Sequence, residues 1–242
     1  MRSKKGFTDL ALDLLYPRRC PVCGQTAPFG RKICPQCRRR LPVIETRRCR
    51  KCGKPVEDFD ALCPDCEKTE HLYDRGLGIY RYDETMRRAM AELKYKGRLE
   101  YGEAFGELLY ENARSELMLW KPDCLIPIPL HPARERERGY NQAEVISRAL
   151  AAKSGIPVRT DILFRTLDTD RMKELTAKER MDNMMRAFTA EKQDTVRRAV
   201  LIDDIYTTGT TMDAASAALR QAGIDEIYFL AVCIGAGFMV SY

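Results

Sequence analysis

From residue 73 onward the chain alternates two patterns. Short apolar runs bounded by Gly, Pro or Asp read as strands, and longer stretches with apolar residues three and four apart read as helices. GLGIYRYD (76–83) predicts a strand and 85–95 a helix. A second helix is predicted over 100–118, with Phe105, Leu108, Leu109 and Leu117 on its apolar positions. DCLIPIPL (123–130) reads as a buried strand bounded by prolines, followed by a loop, HPARERERGYNQ, and a helix that stops at Gly155. Residues 161–166 look like a strand, while 167–190 are charged and irregular, with one helix starting near Ala177. RRAVLIDD (197–204) is a strand, the helix from Thr211 stops at Gly223, and EIYFLAVCIGA is the last strand. Strands alternating with helices predict an α/β domain, a mostly parallel sheet with helices on both faces and ligands at the carboxyl ends of its strands.

The first seventy residues follow neither pattern. MRSKKGFTDLALDLLYPRRC has a basic start and a short apolar stretch interrupted by Asp9 and Asp13, which predicts an amphipathic helix and not a signal peptide. Cys20, Cys23, Cys34 and Cys37 then recur 29 residues later as Cys49, Cys52, Cys63 and Cys66. The neighbours repeat as well: Arg18-Arg19 and Arg47-Arg48 lead, Gly24 and Gly53 follow the first knuckles, and CPQC and CPDC close the units. Ten cysteines admit disulfides or metal, but CxxC pairs without a secretion signal favour metal. Each unit is too small to bury a core of its own, so four thiolates around Zn²⁺ must do much of the folding. Four thiolates leave no open position, which makes both expected zinc sites structural. Sequential pairing is simplest, with exchange of ligands between units as the alternative. A polar connector, EKTEHLYDRG, places the boundary near residue 72, giving 1–71 as helix plus double zinc ribbon and 72–242 as the α/β domain. The two remaining cysteines, Cys124 and Cys233, sit in apolar runs and read as core.

Charge adds one point. Residues 1–56 carry 15 Lys/Arg against 3 Asp/Glu, a formal +12, while the whole chain is +6, so the rest is −6. Two tetrathiolate zinc sites would remove about four positive units. A basic skew remains, which suits either a polyanion partner or a solvated basic surface. No apolar run approaches the length of a membrane span. Without membrane insertion, and with reduced thiols, the expected location is the cytoplasm.

The segment that promises chemistry is AVLIDDIYTTGTTM, 199–212. Ala199 to Ile202 form a buried strand with Asp203 and Asp204 at its carboxyl end. Thr207, Thr208, Gly209, Thr210 and Thr211 then open a helix. Consecutive backbone N–H groups, hydroxyls and a helix N-terminus make a phosphate cradle, and Gly209 lets the backbone approach. Paired acids beside such a cradle suit ribose hydroxyls or a metal ion. Neighbouring strand residues point opposite ways, so one of the pair must leave regular geometry for both to reach one sugar.

These residues resemble the phosphoribosyl pyrophosphate (PRPP) motif of type I phosphoribosyltransferases. Further along the chain, LLYPRRCPVCG, ELKYKGR (92–98), IPIPLHPARERERGYNQAE (126–144) and ERMDNMMRAF (179–188) resemble the ComF competence family, in which a zinc ribbon precedes such a domain. The resemblance implies a type I phosphoribosyltransferase-like sheet. It implies ribose and Mg²⁺ contact at Asp203 and Asp204, 5′-phosphate contact at Thr207–Thr211, and a pyrophosphate loop containing Leu130, His131, Arg134 and Arg138, with Arg136 a further suitable charge. Arg165, Arg180 and Asn183 match the family pattern, as a substrate contact or as a solvated lid face. Met172 stands where the family usually has Gln, so no contact is assigned there.

Three functions follow as expectations. The chain is a phosphoribosyltransferase with an unidentified acceptor, or a DNA-uptake factor binding single-stranded DNA, or a noncatalytic PRPP sensor. Transfer from PRPP needs positioning and a stabilised leaving group more than a protein nucleophile, so no catalytic residue is assigned, although His131 is a candidate for anion contact or for proton transfer. Partners implied by the resemblance are PRPP, single-stranded DNA and other competence proteins such as a ComFA-like helicase.

Overall fold

Ala199–Ile202 are fully buried in the middle of a parallel sheet, which is why they read as an unbroken apolar run. The computed structural model describes residues 18–59, 61–167 and 183–235. The expected N-terminal helix, the helix near Ala177, Met172 and Arg180 lie outside the described residues.

Strands β1 (Arg75–Arg81), β2 (Cys124–Pro127), β5 (Arg198–Tyr206) and β6 (Glu226–Ile234) form one sheet in the order β1-β6-β5-β2, with every pair parallel. Two short strands, β3 (Leu163–Arg165) and β4 (Phe188–Ala190), pair antiparallel apart from it. Helices α3 (Glu84–Tyr95), α4 (Leu99–Trp120) and α6 (Gln142–Ser154) cover one face, and α7 (Thr210–Gln221) packs on the other. Along β5, Val200 and Ile202 enter the first core, and Ala199 and Leu201 the second. Helices α4 and α6 approach so closely that a Cβ on Gly106 would stand 2.5 Å from that of Ala149.

Three expectations need correction. HPARERER is not a loop: Pro132–Arg138 form helix α5, with His131 as N-cap, Pro132 at the first position and Gly139 closing it at φ 82°. Strand β2 stops at Pro127 and not at Leu130, since prolines at 127 and 129 cannot donate to a ladder. Strand β5 also runs two residues past the acids, to Tyr206.

The cysteine-rich units dock on this domain. Each has a single-turn helix after its third cysteine, α1 (Pro35–Arg39) and α2 (Pro64–Lys68), with proline at the first helical position. The segment between the units lies antiparallel along the free edge of β1: the Ile44 N–H donates to the Ile79 carbonyl at 3.0 Å, and the Arg81 N–H to that of Pro42 at 2.9 Å. This covers an edge that would otherwise be exposed. The first unit shares the core of Leu77, Met90 and Tyr101, and the second the core of Tyr73, Tyr206 and Phe229, so the two sit on opposite faces of the sheet. Glu103 of α4 takes Arg18 at 2.7 Å and Lys32 at 3.0 Å, tying the first unit down.

Cys124 and Cys233 are core residues, as expected. Burial pushes the Cys124 thiol up to about 12 and that of Cys233 well above the ordinary range.

Candidate functional site

The eight repeat cysteines gather as two sets, Cys20/Cys23/Cys34/Cys37 and Cys49/Cys52/Cys63/Cys66, with the sulfurs of each set within 4.8 Å of one another. Pairing is therefore sequential. Gly24 and Gly53 take φ of 72° and 79° at the knuckles, and their N–H groups return to the carbonyls of Cys20 and Cys49 at 2.8 and 2.9 Å. Four thiolates per set suit tetrahedral Zn²⁺ and leave no coordination position for water, which makes these structural sites. The sets differ in burial: all four cysteines of the second are buried, while Cys23 of the first is exposed.

At the carboxyl end of β5, Asp204 is buried and forms a 2.6 Å ion pair with Lys94 of α3. Strict alternation fails here. Asp204 faces α3, yet Ile205 packs against that same core and Tyr206 against the other. The Asp203 carboxylate accepts the Asp204 N–H at 2.8 Å. Burial and the adjacent Asp204 charge push the Asp203 carboxyl well above the usual carboxylate range. For Lys94, burial works against the charged form, but the Asp204 charge outweighs it and the ammonium is held above its ordinary value.

A carboxyl whose folded value is raised opposes folding once it ionises. Its contribution is absent at low pH and grows as pH rises from the unfolded value through the folded one. Asp203→Asn is therefore expected to raise Tm at pH 7.5 on the order of 3 °C. The gain should shrink as pH falls through the ordinary aspartate range and vanish only below about pH 3, where the aspartate is protonated in the unfolded chain as well. Thermal melts at the two pH values check this.

Beyond Tyr206 the chain enters the threonine loop. Thr207 and Thr208 are exposed, Thr210 and Thr211 half-buried, and the Thr208 and Thr210 hydroxyls lie 3.0 Å apart. Gly209 caps α7 at φ 92°. Packing alone calls for glycine here, because a Cβ would meet His71 Cε1 at 2.7 Å and the Tyr206 hydroxyl at 2.9 Å.

On the Asp204 side lies a cleft of about 180 Å³ lined by Lys94, Tyr95, Gly97, Arg134, Glu137 and Arg138. Helix α5 thus brings Arg134 and Arg138 to the lysine that holds Asp204. Arg138 donates to Gln142, and its guanidinium lies 5.5 Å from the Tyr95 ring centre. Leu130 is half-buried. His131 accepts the Ala133 N–H at Nδ1, 3.3 Å, and so caps α5. Arg136 is exposed. Arg165 lies over Phe188 within the β3–β4 pair. Asn183 accepts the Arg186 N–H at its carbonyl, 3.2 Å. Asn141 joins the residue after β2 to α6: it donates to the Ile128 carbonyl and accepts the Ala143 N–H, both at 2.9 Å.

Competence protein F of Haemophilus influenzae is 32% identical over 166 residues, which cover 66% of this chain and 72% of that protein. The chain belongs to the ComF family. DNA utilization protein YhgH of Escherichia coli O157:H7 extends the likeness, with 27% identity over 217 residues, 88% of this ComF chain and 89% of the relative. Residues 11–67 match the double zinc ribbon domain family. Among solved structures, a purine phosphoribosyltransferase from Pyrococcus horikoshii covers 56% of this chain and 89% of its own at 14% identity; its TM-score of 0.33 is too low to carry weight.

Sequence reasoning missed Lys94 as a site residue, although ELKYKGR was among the runs that signalled the family. It also missed His71 and Asp213, which lie 142 residues apart and meet under the threonine loop.

Proposed function

We propose that this ComF protein binds PRPP with Mg²⁺ across the carboxyl end of β5, transfers phosphoribose to an acceptor, and serves DNA uptake in the cytoplasm, with residues 1–71 as its zinc module and 72–242 as its PRPP domain. One observation carries the reading. The acid pair stands between an open threonine loop at a helix N-terminus and a cleft holding Lys94, Arg134 and Arg138. PRPP has the complementary layout, a hydroxyl-bearing ribose between a phosphate and a pyrophosphate. Thr207–Thr211 would hold the 5′-phosphate through N–H and hydroxyl donors. Asp203 and Asp204 would receive the ribose hydroxyls or hold Mg²⁺, which when bound neutralises charge on the pyrophosphate. Lys94, Arg134 and Arg138 would stabilise the leaving pyrophosphate as the anomeric bond opens. The names of the Haemophilus and Escherichia relatives, competence and DNA utilization, support the DNA-uptake role.

Calorimetric titration of PRPP with Mg²⁺ tests this. Saturable binding by the zinc-loaded chain, lost in Asp203→Ala/Asp204→Ala, is expected, and an acceptor screen by pyrophosphate release would follow. No binding by the folded wild type would overturn it.

A second reading has its own support. Phe29 and Phe59 are 63% and 79% exposed, Arg47 lies 4.0 Å over the Phe59 ring, and Arg38, Arg39 and Arg40 are exposed on the first unit. Aromatic faces beside cations suit single-stranded DNA, handed on by a partner such as a ComFA-like helicase. Oligonucleotide binding that weakens steeply with salt would favour this role, alone or beside PRPP sensing.

A further inference from the structure

The connector that leaves the second cysteine unit runs directly beneath the threonine loop. His71, five residues beyond Cys66, is buried, with its side chain fully enclosed. Its Nδ1 lies 2.8 Å from Oδ2 of Asp213 in the first turn of α7, and since a carboxylate only accepts, Nδ1 carries the proton. The other Asp213 oxygen accepts the Leu72 N–H at 2.8 Å, and the Asp213 N–H donates to the Gly209 carbonyl at 2.8 Å. His71 stacks on Tyr73 with centroids 4.9 Å apart, and the Tyr73 hydroxyl meets that of Tyr206 at 2.7 Å. Tyr73 and Tyr206 share one core with Cys49, Cys52, Cys63 and Cys66. A continuous packed chain thus runs from the second cysteine set to the underside of Gly209. The first set packs in the other core, on the opposite face.

We propose that His71 is a positioning residue: through Asp213 it locks the second zinc unit beneath the threonine loop and holds the loop in its anion-binding shape. The first unit has no part in this. The inference rests on the reading of that loop as the 5′-phosphate site.

Two readouts on the full chain separate the failures. Amide hydrogen exchange over 207–211 needs no ligand, and calorimetry with PRPP and Mg²⁺ reports binding. His71→Leu keeps bulk but loses the donor. His71→Asn keeps a donor where Nδ1 stood. The leucine variant should speed exchange in the loop and weaken PRPP binding about tenfold, the scale of a lost charge-assisted hydrogen bond. The asparagine variant should restore both to within about threefold, and zinc content should stay at two per chain in each. Glu103→Ala, which removes the Arg18 and Lys32 contacts of the first unit with that residue of α4, should leave loop exchange unchanged. Wild-type exchange and binding in His71→Leu, equal loss in both variants, or an equal response to Glu103→Ala would each overturn the proposal. If the wild type binds no PRPP while His71→Leu still loosens the loop, the positioning stands and the assignment of the ligand fails.

Discussion

Cys52→Ser should lower the melting temperature far more than Cys23→Ser, although each removes one of four thiolates from a zinc set. Cys52 is completely buried, and its set shares a core with Tyr73, Tyr206 and Phe229 beneath the central sheet. Cys23 is exposed. Metal affinity in such small units is folding energy, and losing one ligand of a tetrathiolate site forfeits several kcal/mol of it. At the first set much of that loss stays local, because Cys23 itself is exposed and the β-sheet still packs on α4 and α6. At the second, the core of the α7 face opens as well. For a chain of this size a loss of about 4 kcal/mol corresponds to roughly 10 °C or more. Zinc analysis should give one ion per chain in either variant, while thermal unfolding separates them. Equal melting temperatures would show that the second set is not integrated into the sheet core. Chelator titration should show the same order, with the first zinc leaving before the second.

How far the sequence disclosed this architecture depended on the range of the signal. The repeat was legible because ligand spacing is a local property: a CxxC knuckle closes on itself, and Gly24 and Gly53 mark the positive φ it needs. The central strands were legible because burial on both faces makes them continuous apolar runs, as in Ala199–Ile202 and Leu230–Ile234. Helix α5 was not. Seven residues of mixed charge, with no buried side chain, carry no apolar period, and only the His131-Pro132 start and the Gly139 stop betray it. Charge-rich stretches of this kind turn helical through caps, and a reading based on periodicity passes over them.

At the site, the acids and the threonine loop were visible because they are contiguous. Their partners were not, since Lys94 and His71 lie more than a hundred residues earlier in the chain. The docking of the cysteine units was equally hidden. Nothing in the spacing of thiolates says that Leu41–Ile44 will line the edge of β1, or that the units will divide between the two faces. Gly209 shows how the structure can supply a reason for a residue that the sequence does not. Access for a phosphate accounts for a glycine, but the 2.7 Å approach to His71 would demand one without any ligand.

Lys94→Met should destabilise the protein by about 3 kcal/mol, close to 10 °C in Tm, because it leaves the Asp204 carboxylate buried without its counter-charge. The Asp204 side chain is only 4% exposed, so water cannot replace the ammonium. The pH dependence follows from the raised Lys94 value: a cation held above its ordinary range contributes fully below that range and loses its contribution as pH rises through the folded value. The gap between wild type and variant should therefore stay constant from about pH 6 to 9 and narrow only in strongly alkaline solution. Adding Asp204→Asn to Lys94→Met removes the orphaned charge and should recover most of the stability, so the two effects will not add. Binding should behave differently. On the reading proposed above, Lys94 is one of three cations around the pyrophosphate, and the double variant, though refolded, should bind PRPP with Mg²⁺ at least about tenfold more weakly than wild type. A Lys94→Met protein as stable as wild type would refute the buried pair. A double variant that is stable and binds normally would refute the place of Lys94 and Asp204 in the ligand site. Stability and affinity measured on the same three proteins thus separate what Lys94 does for the fold from what it does for the ligand.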